Sequence, residues 1–274
     1  MRLVARFFAL AGVLSLLLTA GCYQVPVTGR SAMSMVSDKE VAKQSMAAFE
    51  EMKKKYTVSR NKDFKERVQR VGERLAKAVF GDVPDADWEF VVFEVPQQVN
   101  AFAMAGGKVG VFTGLFKIVK NDDQLASVLA HEIAHVAARH VNERLSRQMA
   151  VKGGGLLVGG VMAGRGAGYL TSGAVLDAYG LSTGITAVGF DRKKEKEADH
   201  IGIMYMARAG YNPEESIRVI ESLEAASTGQ PLPPAWLSTH PSNPERILQL
   251  MDLMPKALEA YRQSSRIQTP VLVK

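Results

Sequence analysis

Cysteine is nearly absent from this sequence: Cys22 is the only one among 274 residues. No intrachain disulfide can form and no Cys-based zinc site can be built, so any metal must be held by His, Asp or Glu. A strong charge of one sign is also missing. The formal net charge of +6 is dispersed, and without Arg2 and Arg6 the excess falls by two. Aromatics make up 7% of the chain and do not interleave with basic residues, so a nucleic-acid face is not expected. A weak attraction to anionic lipid is the most that such a charge supports. Past the N-terminal segment, the longest uncharged piece of the glycine-rich region, Ala178–Phe190, has 13 residues, too few to span a bilayer. Internal repeats are absent as well. What remains is an ordinary globular composition, 47% hydrophobic and 23% charged, long enough to bury a core of its own.

Within it stands His131-Glu132-Ile133-Ala134-His135. Two histidines four apart on a helix share one face, one turn apart, so both imidazoles can meet a single Zn²⁺ with Glu132 beside it as general base. Asn121 can cap that helix, with Gln124 completing a capping box. Leu125, Val128, Leu129, Val136 and Ala137 follow at helical spacing, with neither Pro nor Gly before Gly153. One helix is therefore expected from Asn121 to Val151. The plainer alternative is a buried helix whose histidines are satisfied core side chains, and the surroundings must decide.

The chain opens with Arg2 and Arg6, an apolar run from Phe7 to Leu18, then Thr19-Ala20-Gly21-Cys22. Those features describe an export signal over 1–21. Ala20-Gly21 before the cysteine resembles a bacterial lipobox, although Thr19 stands where Leu is usual. The resemblance implies cleavage before Cys22 and its lipidation, hence a membrane anchor. Tyr23, rather than Asp, after the cysteine implies the outer membrane of a Gram-negative bacterium, facing the periplasm. A plain secretory signal with a chance cysteine is the alternative.

Residues 22–36, with Pro26 and Gly29, read as a tether. Ser37 with Glu40, and later Asn61, can each cap a helix. Trp88–Val95 is a β-rich run. Val99–Met104 and Lys108–Thr113 flank Gly106-Gly107 and make a hairpin. With so little bulk, its first strand (Asn100, Ala101, Phe102, Ala103) is either a sheet edge that pairs with an extended substrate or an internal hairpin that packs the sheet. Between Lys152 and Asp191 only Arg165 and Asp177 are charged and glycine is dense; residues 153–190 suit a lid or an interfacial insertion. Asp191 can cap a helix that Gly210 stops, Asn212-Pro213 and Ser242-Asn243-Pro244 open two more, and residues 263–274 read as a loose tail.

A catalytic zinc takes three protein ligands and keeps one open position. His140 lies nine residues past His131 with no intervening glycine, which does not fit the spacing of a third histidine reached through a glycine bend. It is expected behind the ligands or on the surface. The later helix offers Glu195 and Glu197, with Asp199 four beyond the first, and spacing alone does not choose between the two glutamates. With H-E-x-x-H, E-x-x-A-D at 195–199 and Ala209-Gly210-Tyr211-Asn212-Pro213 together, the chain resembles the HtpX/BepA/LoiP class of zinc metallopeptidases, to which Oma-type and CaaX prenyl-protein proteases also belong. The resemblance covers roughly Val25 to Leu253 and includes Pro26-Val27-Thr28-Gly29-Arg30.

It implies one Zn²⁺ per chain held by His131, His135 and Glu195, with Asp199 orienting a ligand histidine and Glu132 as the catalytic base. Trp236-Leu237-Ser238-Thr239-His240-Pro241 also resembles this class, and implies His240 either as a fourth ligand that plugs the open position or as a residue lining the cleft. The oxyanion donor stays open among His200, Tyr205 and Tyr211. The expected fold is α+β and mainly α: a zincin-like domain over 37–262, with a small sheet beside the His131 helix, closest to the single-domain members of the class. The expected activity is peptide-bond hydrolysis on misfolded or misassembled envelope proteins, with outer-membrane assembly machinery as a partner. A chaperone-like binding protein with a plugged site and a peptidoglycan hydrolase are the competing functions.

Overall fold

Alternation along three short strands sets the layers of the molecule. In the computed structural model, which describes residues 22–83, 85–157, 170–181, 191–227, 235–241 and 243–268, strands β3 (Glu89–Phe93), β4 (Ala101–Met104) and β5 (Lys108–Phe112) form one sheet in the order β3-β5-β4. β5 runs parallel to β3 and antiparallel to β4, with Phe102 opposite Gly110 and Ala103 opposite Val109. Val92, Ala101, Ala103, Val109 and Val111 face helices α2 (Lys62–Ala78) and α3 (Asp122–Ala137). Phe93, Phe102, Met104 and Phe112 face the other way, onto α1 (Asp38–Lys55), where Phe49 joins their edge-to-face cluster. Both faces are covered, which is why the strands read as unbroken apolar runs. The expected hairpin turns on Gly106 and Gly107, whose φ of 84° and 82° belong to the left-handed region that favours glycine.

Side-chain caps fix where the helices begin. Ser37 Oγ, Asn61 Oδ1, Asn121 Oδ1 and Asp191 Oδ1 each accept from the backbone N–H three residues on, at 2.8–3.2 Å. Each cap is worth about 1 kcal/mol. Asp191 starts α6 (Arg192–Arg208), and Gly210, at φ 76°, follows its end. Helices α7 (Glu215–Ser227) and α9 (Pro244–Gln268) pack on the outer side of α6 through Ile203, Met204, Ala207, Ile220 and Leu250. A short helix, α8 (Ala235–Thr239), precedes α9.

Four parts depart from what the sequence pattern suggests. The helix expected to run to Val151 breaks after Ala137: Arg139 takes φ 53°, and a separate helix, α4 (His140–Leu157), begins at once. The stretch 22–36 folds as a hairpin of β1 (Cys22–Gln24) and β2 (Ser31–Met33), with Val25 and Ala32 buried in the core. Ser172–Ala178, inside the expected lid, forms α5, which buries Val175 and Ala178 among the residues of α1. Helix α9 continues to Gln268, through the start of the expected tail, because Ser264 is buried with its hydroxyl donating to Ala207 O at 3.0 Å. The expected signal over 1–21 and residues 158–169 and 182–190 of the lid lie outside the described residues.

At the centre, α3 and α6 lie in direct contact. α3 is buried almost all round, and α6 turns Ala198, Ile201, Gly202 and Tyr205 inward. A Cβ added to Gly202 would stand 3.1 Å from both Cα and N of His131 and 3.2 Å from the carbonyl carbon of Ala130. Backbone occupies that space and cannot swing aside. Gly202→Val should therefore push the two helices apart and lower stability by about 1–3 kcal/mol, read as a lower urea midpoint; an unchanged midpoint would show that the crossing is loose.

Candidate metal centre

The tight crossing brings three side chains from two helices to one point. His131 and His135 project from one face of α3, one turn apart, and their Nε2 atoms lie 3.1 Å from each other. Glu195, in the first turn of α6, places Oε2 3.3 Å from His131 Nε2 and Oε1 3.4 Å from His135 Nε2. His240, just after α8, adds Nδ1 at 3.1 Å from Glu195 Oε1 and 3.3 Å from His131 Nε2. All four residues are buried, and one donor atom from each lies within 4.8 Å of the others.

The donor set fits a cation. Imidazole and carboxylate ligands about 2.0–2.1 Å from a tetrahedral zinc would lie about 3.3–3.4 Å apart, and these separations are 3.1–3.4 Å. Glu195 Oε2 is a buried carboxylate oxygen with no hydrogen-bond partner among the described residues. The positive groups that face it, Arg246 Nη1 at 3.4 Å and His131 Nε2 at 3.3 Å, both stand beyond good hydrogen-bond length, which leaves the oxygen open to a cation. Burial alone would push the His131 imidazole down, but Asp199 and Glu195 outweigh it and hold it up at about 9. Its Nδ1 is committed to Asp199, so the extra proton would sit on Nε2, among the other donors. Burial pushes His135 well below its usual value, leaving a neutral imidazole. Burial would raise Glu195, yet His240 and His131 hold it well below the carboxylate range. A neutral imidazole and an ionised carboxylate are the forms that bind a metal.

Each histidine of α3 has its own support. His131 Nδ1–H donates to Asp199 Oδ1 at 2.9 Å, and Arg246 grips that carboxylate with Nε to Oδ2 at 2.6 Å and Nη2 to Oδ1 at 2.8 Å. Asp199 is thereby kept ionised despite burial. His135 is supported from the other side. His140 Nδ1 lies 2.8 Å from His135 Nδ1, and His140 Nε2 lies 2.9 Å from Glu197 Oε2. In a continuous helix, five residues would rotate His140 about 140° away from His135. The break at Arg139 brings it back.

Glu132 is buried beside the cluster. Its Oε1 accepts from the Trp236 indole N–H at 2.7 Å, and His240 Nε2 stands 3.4 Å away. Trp236 also donates its backbone N–H to Val99 O at 3.0 Å, at the entrance to β4. Of the expected substrate strand, Asn100 precedes β4 and Ala101, Phe102 and Ala103 lie in it; β4 is an edge of its sheet. Among the candidate oxyanion donors, Tyr211 stacks under Arg74 at 4.5 Å, Tyr205 is held up by burial and Asp82, and His200 is half-buried. None of the three is in the four-residue cluster.

The resemblance pointed to His131, His135, Glu195, Asp199 and His240, and these five stand together. It gave no role to Arg246, Trp236 or Glu197, whereas His140, expected behind the ligands or on the surface, stands behind His135. Arg246 carried one signal: it is the third residue after Asn243, whose side chain accepts its backbone N–H at 3.0 Å and starts α9 there. Glu197 carried none, being one acid among the charges at 193–197.

Comparison with known proteins agrees with the geometry. The chain is 35% identical over 211 residues to the mitochondrial metalloendopeptidase OMA1 of Saccharomyces cerevisiae, covering 72% of this chain and 58% of that protein. The Schizosaccharomyces pombe OMA1 is 36% identical over 198 residues, covering 72% and 55%. The β-barrel assembly-enhancing protease of Escherichia coli K12 is 34% identical over 158 residues, covering 55% and 31%. The chain thus spans little more than half the length of the yeast relatives. The sequence profile of peptidase family M48 matches residues 62–254, from the start of α2 into α9 and across every residue of the cluster. The chain belongs to peptidase family M48.

Proposed function

We propose that this chain is a zinc-dependent endopeptidase. The observation that carries the reading is the meeting of His131, His135 and Glu195 from two crossing helices, with the Glu132 carboxylate buried beside them. Bound zinc would supply Lewis acidity and make water at its open position acidic enough to attack a peptide carbonyl at neutral pH. Glu132 takes the proton from the attacking water and delivers it to the departing amine. Asp199 and Arg246 hold the His131 ring in one tautomer and one orientation. The substrate lies extended along Asn100–Ala103, its main chain pairing with the edge of β4.

His240 and Trp236 describe a closed form of this site. His240 Nδ1 takes the fourth donor position, and the Trp236 indole takes the oxygen that Glu132 would turn to water. That closure is the observation behind a second reading, a chaperone-like protein with a permanently plugged site. Cys22 is the lipid anchor after removal of 1–21, which places the enzyme on the outer membrane facing the periplasm. Its substrates are misfolded or misassembled envelope proteins. The relatives named as β-barrel assembly-enhancing proteases support this reading and assembly machinery as a partner.

Three measurements test the reading. In purified protein, His131→Ala and Glu195→Ala should lose zinc, whereas His240→Ala should keep it and hydrolyse unfolded protein faster than the parent. Zinc retained in full by Glu195→Ala would rule out the ligand set. Glu132→Gln should keep zinc and the fold while its rate on the same substrate falls by about 10²–10⁴-fold; equal rates would favour the chaperone-like reading. Cys22→Ser should move the protein from the membrane fraction to the soluble fraction, and unchanged partition would remove the anchor.

A further inference from the structure

The sequence Pro26-Val27-Thr28-Gly29-Arg30 has so far no part in the chemistry. It forms the turn between β1 and β2, closed by Val25 N–H to Arg30 O at 2.8 Å and Gly29 N–H to Val25 O at 2.9 Å. Gly29 and the non-glycine Val27 both take φ 66°. A left-handed valine is strained and persists only where its surroundings impose it. The turn aims two polar side chains at one carboxylate. Thr28 Oγ1 donates to Glu197 Oε1 at 3.0 Å, and Arg30 Nε reaches Glu197 Oε1 and Oε2 at 2.8 and 2.9 Å. Arg30 Nη2 also donates to Glu143 Oε1 at 2.6 Å. Glu143 is paired on its other oxygen with Lys194, next to the candidate ligand Glu195. The hairpin is seated a second time at the helix break, where Tyr23 Oη donates to Ala138 O at 2.6 Å beneath the Arg139 guanidinium.

Proton bookkeeping gives this chain of contacts a direction. If His135 turns Nε2 to the metal, its proton is on Nδ1, which donates to His140 Nδ1 across 2.8 Å. His140 must then carry its own proton on Nε2 and donate it to Glu197. Glu197 can accept it only while its carboxylate is held in place, and Arg30 and Thr28 hold it there. His131 draws its support from Asp199 on α6 and from Arg246 near the start of α9. His135 draws its support, at the third remove, from the hairpin at residues 22–33.

We propose that Arg30 and Thr28 are positioning residues for His135, acting through Glu197 and His140, so that the seating of the N-terminal hairpin sets the affinity of the metal centre. The proposal rests on the reading of His131, His135 and Glu195 as ligands. A second consequence concerns the anchor. Cys22 is the first residue of β1, so a lipid attached there would sit directly beside the hairpin that supports the metal centre.

The test uses the purified full chain with Zn²⁺ or Co²⁺ as probes. Zn²⁺ affinity is measured by chelator competition, and the Co²⁺-loaded forms are compared by their visible absorption. Arg30→Ala and Glu197→Gln should each weaken Zn²⁺ binding by about 10–100-fold and shift the Co²⁺ bands. The double variant should lose no more than the weaker single, because both act on one path. Thr28→Val, which removes one of the Glu197 donors, should show a smaller loss in the same direction. Leu223→Ala, a core change in α7, is the stability control and should leave affinity and spectrum unchanged. If Arg30→Ala and Glu197→Gln match the control in both readouts, the relay is overturned while the metal site stands. If the parent protein binds no Zn²⁺, or His135→Ala binds it as tightly, the metal reading falls and the relay with it.

Discussion

A carboxylate surrounded by imidazoles can be buried only if the helices that carry them approach closely enough for the charges to meet. Here that approach is the crossing of α3 and α6 at Gly202, where no side chain separates the backbones. An isolated buried carboxylate would be unaffordable, and Glu195 is 1% exposed. Its ionised form is sustained by the histidines around it, and their proximity is a product of the crossing. The small residues of β4 serve the same end: Ala101 and Ala103 face α3 and let the sheet lie against it, while the bulk of Phe102 and Met104 is turned to α1.

The two α3 histidines are held by different physics. His131 is locked by a buried ion pair, Asp199–Arg246, fully hydrogen-bonded and closed to solvent. Such a pair gives little net stability, because desolvation offsets the attraction, but breaking it strands a charge. Its value lies in fixing one tautomer and one ring plane. His135 is held by a longer, more polar chain ending at Arg30, whose side chain is 34% exposed. Solvent and motion of the hairpin can reach that end. Of the two α3 histidines, His135 is therefore the one whose orientation can respond to events at the surface.

Much of this could be read directly from residue order. The H-E-x-x-H spacing, the Asn121 and Asp191 caps and the Gly106-Gly107 turn are local signals, and each resolves within one helical turn or one hairpin. Glu195 was different: its spacing did not distinguish it from Glu197, and only resemblance separated them. The structure gives the physical reason that both matter, since they flank one helix and serve opposite sides of the histidine pair. The break at Arg139 was illegible because Ala138-Arg139-His140 contains no residue that ends a helix. It is imposed by tertiary contacts, with Tyr23 bonding to Ala138 O and Glu197 bonding to His140. Pro26 and Gly29 suggested a loose tether for the same reason they make a tight turn, and composition does not tell the two apart. Arg246 meets Asp199 across 47 residues, a distance over which no periodicity carries information.

Arg246 also bears on how the closed site could open under the proposed reading. Its guanidinium touches both sides of the problem: the carboxylate behind His131 and the carbonyls of His240 and Pro241. The bonds are unequal. Those to Asp199 are 2.6 and 2.8 Å and join opposite charges, whereas those to the two carbonyls are both 3.3 Å and join a charge to a dipole. Departure of the His240 segment would break the weaker pair and leave the stronger one intact, so His131 would keep its orientation while the fourth position cleared. The same departure removes the indole from Glu132 and the Trp236 amide from Val99 O, freeing a proton acceptor and the mouth of an edge strand together. Because α8 is only five residues long, carries Trp236 and leads directly into His240, metal position, base and substrate edge would be released as one event rather than as three.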